Sequence, residues 1–411
     1  MELQMTHKLY WEDSRLFTFR ATVVACQSGA GRTAIVLDQT AFYPTGGGQP
    51  CDIGRLGPHQ VDEVTIDDQE RILHWIDGAT TLNPGETITG EIDWARRREM
   101  LQQHTAQHIL SQAFFQLFGA ETAGFRITDR STEIDLTLDA TPDQLPQMIR
   151  EAEALANSIV FDNRPVRQHQ LTPAEAAKLP LRKESFVNDC VRVVEIADFD
   201  WSPCGGTHAT MTGEVGLIVV RTSERAKRMV RIHFLAGVRA LADYRIGNDI
   251  NDTLARRLSV GREELDSAIE RLQSESKRLL RRNRELGQIA AEVEAAQLLS
   301  AVTMSAAGVR LVTSVFDDRD FDELKLLAHQ LVAAHGVLAL LATRQDSTVR
   351  LVFARSGDLL CDVNQMMKQA VERLGGRGGG RPDFAQGGGD DIPDLPGFLE
   401  SLANFDLPAS A

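Results

Sequence analysis

The chain has 411 residues, 43% hydrophobic and 25% charged, the composition of a globular protein of two to four domains. A net charge of −14 excludes a broad, nonspecific nucleic-acid coat but not a local basic groove. No apolar run is long enough to span a membrane, and the N-terminal stretch lacks the regions of a signal peptide. Cys26, Cys51, Cys190, Cys204 and Cys361 are scattered and odd in number, so they form no disulfide framework, and a cytoplasmic protein with reduced thiols is expected.

In chain order, residues 1–96 read as a β-rich, barrel-like domain. "RATVVAC", "TAIVLDQ" and "ETITGEIDW" are short β-branched segments separated by turn signals. A helix follows from Trp94 and closes on Gly119 as its C-cap. A strand "STEIDLTL", a helix over 141–157 opening on "TPDQ", and strands "CVRVVEIA" and "VGLIVVRT" complete a mixed α+β domain over 97–245. Residues 246–300 follow as a helical segment that changes character from about residue 252. Leu265, Leu272, Leu279, Leu286 and Val293 recur every seventh position, which predicts a coiled coil or helical arm reaching roughly 70 Å if unbroken. Ser276 and Asn283 in the second seam leave a hairpin or a docked arm open beside a parallel dimer. Residues 301–411 alternate strands and helices as a small α/β domain containing "GGRGGGRPDFAQGGG" over 375–389. The expected fold class is therefore α+β and multidomain.

Two short motifs carry chemistry. "HTAQH" sets His104 and His108 four apart on a helix, so both imidazoles face one side. "SPCGGTH" sets Cys204 and His208 four apart around two glycines, which let the backbone aim both side chains at one point. Each half alone has a plain alternative: two polar residues on a helix face, or a buried structural cysteine. Together they offer three nitrogens and one sulfur, the donor set of a tetrahedral Zn2+ site holding one ion per chain. Elsewhere, Arg225, Lys227 and Arg228 in "RTSERAKRMVR" are a candidate RNA contact or a solvated face. "RPDFAQ" between glycine runs departs from flexible-linker composition. Arg377 and Arg381 are candidates to touch phosphate, and Phe384 to stack on a base.

"HTAQH" followed by "SPCGGTH" resembles the editing domain shared by alanyl-tRNA synthetases and the freestanding AlaX proteins, and more distantly threonyl-tRNA synthetases. "FYPTGGGQPCDIG" (42–54) is similar to the glycine-rich loop of the domain preceding that module, and the C-terminal glycine segment to the signature of the synthetases' C-terminal domain. The chain passes from Met1 straight into the β-rich region, so the resemblance implies a long-form, freestanding editing protein. Its implied activity is hydrolysis in trans of mischarged tRNA(Ala), chiefly the seryl ester, with the glycyl ester second. The helical arm or the C-terminal domain would support a homodimer, and no membrane partner is implied.

A seryl and an alanyl ester differ by one hydroxyl, so the pocket needs a short polar side chain near the metal. Thr45 is the first candidate, with Gln103 and Thr105 behind it. Synthetase editing domains carry a glutamine shortly after the first motif; here that stretch reads "GAETAGFRI", which offers only Thr122 in its place. Four protein ligands also describe a closed metal shell. The alternative function is therefore a tRNA-binding or synthetase-associated factor with a structural zinc.

Overall fold

Residues 18–92 alternate polar and apolar side chains over short runs. In the computed structural model, which describes residues 5–29, 31–183, 190–226, 229–306 and 308–403, these runs pair as a seven-stranded sheet. Its order is His59–Val61, Gly54–Leu56, Thr87–Ile92, Thr18–Gly29, Arg32–Leu37, Ile72–Asp77, Glu63–Ile66. Only Asp62 separates the two edge strands along the chain. The sheet must therefore curl until its edges approach, and it does so round Phe19, Val23, Ile35, Phe42, Leu56, Val64 and Ile88. This β-body belongs to the first of two units, Met1–Leu254 and Ala255–Ala411.

The helix Trp94–Phe118 grows directly out of the β-body. Asp93 caps it by accepting the Arg96 N–H at 3.1 Å, and Gly119 ends it at φ 65°, a left-handed conformation that glycine adopts without a Cβ clash. Every residue from Met100 to Ser111 is buried, five of them Gln or His. Such a stretch holds only if each polar side chain finds a partner. The helix start is anchored by Arg97, fully buried, which pairs with the fully buried Asp52 at 2.6 Å. The same guanidinium donates to the carbonyls of Ser14 at 2.7 Å and Ala41 at 2.5 Å.

Beyond the helix lie an antiparallel sheet in the order Thr122–Ile127, Thr132–Leu136, Met229–Ala236, Ile218–Ala226, and a second in the order Val166–Leu171, Val191–Ile196, Asp200–Pro203. With the helix Leu145–Phe161 they enclose Leu110, Phe114, Ile134, Val194 and Phe234. That helix begins four residues later than "TPDQ" suggested. Thr141 and Gln144 instead close a turn on each other, the Thr141 N–H donating to Gln144 Oε1 at 3.1 Å and the Gln144 N–H to the Thr141 carbonyl at 3.2 Å.

The helix Gly237–Leu258 leads into the second unit. The unbroken arm expected across 252–300 does not form. Ser259 takes φ 53°, and a 3₁₀ turn Arg262–Glu264 precedes a new helix, Leu265–Ala301. Its 37 residues span about 55 Å at 1.5 Å per residue. Leu272, Leu279, Leu286 and Val293 are each about half exposed along it, while Ala295, Leu298 and Leu299 pack against Leu324 and Leu327. The unit's sheet runs Arg310–Asp317, Val337–Gln345, Thr348–Arg355, Phe384–Asp390, Arg377–Gly380, parallel in its first pair and antiparallel thereafter. The glycine segment is thus a paired hairpin. A Cβ on Gly387 would meet Met367 Sδ and Val371 Cγ1 at 2.7 Å; the glycines let the helix Val363–Arg373 lie directly on the strands. Among the described residues, no helix is long and apolar enough to cross a membrane.

Replacing Arg97 with Met strands the Asp52 carboxylate in the core, so the first unit should lose roughly 3–5 kcal/mol in chemical denaturation. Removing both partners together, Arg97→Met with Asp52→Leu, should recover much of that loss.

Candidate metal centre

One helix and one turn supply four donor groups. His104 and His108 project from successive turns of the buried helix, and Cys204 and His208 flank the glycine turn after the strand Asp200–Pro203. One ligand atom from each lies within 4.8 Å of all the others. Cys204 Sγ stands 3.4 Å from His104 Nε2 and 3.3 Å from His208 Nε2. Nitrogens at 2.0–2.1 Å and a sulfur at 2.3 Å from a tetrahedral ion are separated by roughly 3.3–3.6 Å, so the residues present fit a metal ion.

Each imidazole has its other nitrogen tied off. His108 Nδ1 lies 3.3 Å from Asp200 Oδ2, His208 Nδ1 lies 3.3 Å from Thr105 Oγ1, and His104 Nδ1 lies 2.7 Å from Gln49 Oε1. Outer partners of this kind fix the ring and select the nitrogen offered to a metal. Asp200 is itself held by Arg182 at 3.0 Å and by the Ser202 hydroxyl at 2.8 Å. Burial would push the Asp200 carboxyl up, but His108 and Arg182 hold it below the usual range. Burial would push the Cys204 thiol up as well; the imidazoles of His104 and His208 overcome this and favour the thiolate, the form that binds metals. For His208, burial and the neighbouring His104 act together and keep the imidazole neutral, its metal-binding form.

The turn carrying Cys204 and His208 is braced by the β-body. The Trp11 indole N–H donates to the Gly205 carbonyl at 3.0 Å, and the Ser14 hydroxyl to the His208 carbonyl at 2.6 Å. Arg192 reaches the Cys204 carbonyl at 2.6 Å.

Two clefts meet at the quartet, sharing Gly47, His104 and Cys204. One, of 270 Å³, is polar and is lined also by Gln107, Thr122, Arg182 and Ser202. The other, of 210 Å³, is aromatic and is lined by Tyr10, Trp11 and Tyr43, with Lys8 beside them. A larger cleft of this unit, 860 Å³ along Trp94, Leu101, Leu241 and Tyr244, touches none of the four donor residues. Donor chemistry, not size, marks the site.

The structure moves the expected polar residues out of both clefts. Thr45 is exposed on the surface, and its hydroxyl accepts the Cys51 N–H at 3.2 Å. Gln103 is buried, its carboxamide spent on Ala236 and Thr132. Thr105 Oγ1 lies 3.3 Å from His208 Nδ1 and accepts the Ala209 N–H at 3.0 Å. Thr122 does line the polar cleft. Of the basic candidates, Arg225 is exposed and donates to the Ala140 carbonyl, while Lys227 and Arg228 lie outside the described residues. In the second unit Arg377 is exposed, Arg381 is exposed and pairs with Asp383 at 3.1 Å, and the Phe384 ring is already stacked on His329 at 4.4 Å. Gln49, Gln107 and Arg182 went unremarked in the sequence. Gln49 had one signal, its place directly after the three glycines.

Comparison with known proteins follows this layout. Residues 191–233 match the family described as threonyl and alanyl tRNA synthetase second additional domain, residues 11–96 the tRNA synthetases class II (A) family, and residues 308–405 the DHHA1 domain. The chain is 29% identical to "Alanyl-tRNA editing protein AlaX-L" of Pyrococcus horikoshii, over 93% of this chain and 94% of that protein. It is 32% identical to the alanine–tRNA ligase of Natronomonas pharaonis and 35% identical to that of Methanoregula boonei. Those alignments cover 97% and 96% of this chain but 44% and 42% of the ligases, so the chain spans less than half the length of these curated relatives. The resemblance carried by the two motifs and the C-terminal glycines therefore holds along nearly the whole sequence.

The two glycines of the turn separate cleanly in a mutational test. A Cβ on Gly206 would stand 2.2 Å from His104 Cε1 and 2.9 Å from Gln49 Oε1, whereas nothing lies within 4 Å of one on Gly205. Gly206→Ala should cost at least about tenfold in metal affinity by chelator competition. Gly205→Ala should bind as the parent does.

Proposed function

We infer that this chain, a relative of the alanyl-tRNA editing proteins and of the matching half of the alanine–tRNA ligases, hydrolyses tRNA(Ala) carrying the wrong amino acid. Serine is the chief target and glycine the second. The observation that carries this reading is the donor quartet, one zinc ion's worth, opening onto a polar cleft. When bound, zinc supplies Lewis-acid polarisation of an ester carbonyl.

The chain's own residues do the selecting. Gln107 gives its amide N–H to Ser111 at 2.9 Å and keeps its carbonyl oxygen for a substrate hydroxyl. Thr122, 3.5 Å from the Arg182 guanidinium, stands with it on the same cleft. Polar groups set to bond a hydroxyl are left unpaired by alanine, a penalty that reaches roughly 10⁴–10⁵ in such sites. The aromatic cleft suits the terminal adenosine, its base among Tyr10, Trp11 and Tyr43 beside the Lys8 ammonium that stands 4.3 Å over the Trp11 ring. Arg225, Arg377 and Arg381 contact the tRNA backbone, and the half-exposed seam from Leu272 to Val293 supports a homodimer through the helical arm. The work is cytoplasmic, where charged tRNA is found.

Four protein ligands around one ion also describe a closed structural site, which favours a second reading as a tRNA-binding factor. Deacylation of tRNA(Ala) charged with serine, glycine or alanine, with and without a chelator, separates the two. Loss of serine that the chelator abolishes, with alanine spared, is the expected result. Binding of tRNA with no loss of any amino acid would establish the factor instead.

A further inference from the structure

We propose that Gln49 is a positioning residue of the metal centre: its carboxamide holds His104 in the tautomer that turns Nε2 toward Cys204, and so makes the β-body part of the site. Gln49 is 1% exposed. Its backbone closes the glycine turn, the Gly46 N–H donating to its carbonyl at 3.1 Å and its own N–H to the Gly46 carbonyl at 3.0 Å. The side chain is thereby directed inward. There Oε1 lies 2.7 Å from His104 Nδ1 and 3.2 Å from the Thr207 backbone nitrogen, and Nε2 lies 2.9 Å from Thr207 Oγ1.

These contacts allow one assignment of protons. A backbone N–H can only donate, so the Gln49 atom facing Thr207 N must be the carbonyl oxygen. The same oxygen faces His104 Nδ1, which must then carry the imidazole proton. His104 Nε2 is left with its lone pair, and it is the nitrogen 3.4 Å from Cys204 Sγ. The turn is pressed onto this pair, since a Cβ on Gly206 would overlap both His104 and Gln49. His108 and His208 are oriented by Asp200 and Thr105, close to the ligands on the same sheet and helix. Only His104 depends on a residue of the curled sheet's loop.

Gln49 has this role only if the quartet holds a metal, as read above. Cobalt uptake followed by its visible absorption, with chelator competition, tests it in the full chain and in Gln49→Ala and Gln49→Glu. Gln49→Ala should bind cobalt roughly 10–100-fold more weakly. Gln49→Glu still accepts from His104 and Thr207, and should stay within a few-fold of the parent. A Gln49→Ala chain that melts lower without metal yet binds cobalt as the parent does would reduce Gln49 to packing and overturn the proposal. So would a Gln49→Glu chain as weak as Gln49→Ala. If the parent itself takes up no cobalt, the metal reading fails first and the role of Gln49 goes with it.

Discussion

A neutral imidazole offers a metal the nitrogen that lacks its proton, and a partner on the other nitrogen fixes which one that is. Three imidazoles facing one point are held here by three separate partners, and these contacts tie the first unit together. The partners are Asp200, Thr105 and Gln49, each from a different element. Pairing of this kind explains why the helix Trp94–Phe118 can be buried for so long while carrying so many polar side chains. Its glutamines, threonine and histidines are paid for by hydrogen bonds on every side: Gln102 to the Glu214 carbonyl, Gln103 to Ala236, Gln107 to Ser111. The Arg97–Asp52 pair sets where this helix leaves the β-body and hence how far His104 stands from the glycine loop.

Local spacing singled out the four donor residues, and the family resemblance joined the two pairs. An i, i+4 pair on a helix and a Cys–His pair around two glycines each declare a direction within a few residues, and the fold only had to bring the two together. The partners of those ligands were not legible, because residue 49 meets residues 104 and 207 only once the chain has folded. Asp200 stands four residues before Cys204 in the chain, and it orients His108. Thr45 shows a different limit. A short polar residue beside three glycines, it accepts the Cys51 N–H inside its own loop, a contact that spacing does not record.

The second unit repeats the contrast. The heptad spacing correctly announced a long helix, yet not the break before it, which depends on Ser259 adopting a left-handed conformation that periodicity does not record. The C-terminal glycines departed from linker composition, and they do form ordered structure. Their use is contact between a helix and a hairpin, where Met367 and Val371 rest on Gly387. Phe384, a candidate for stacking on a base, lays one face of its ring on His329.

Both the catalytic reading and the role of Gln49 presuppose an ion at the quartet. X-ray absorption at the zinc edge of the purified chain, with metal content measured on the same sample, tests that directly. The geometry predicts one zinc per chain with one sulfur and three nitrogen neighbours. A metal-free chain, or a zinc shell of oxygen donors without sulfur, would contradict it.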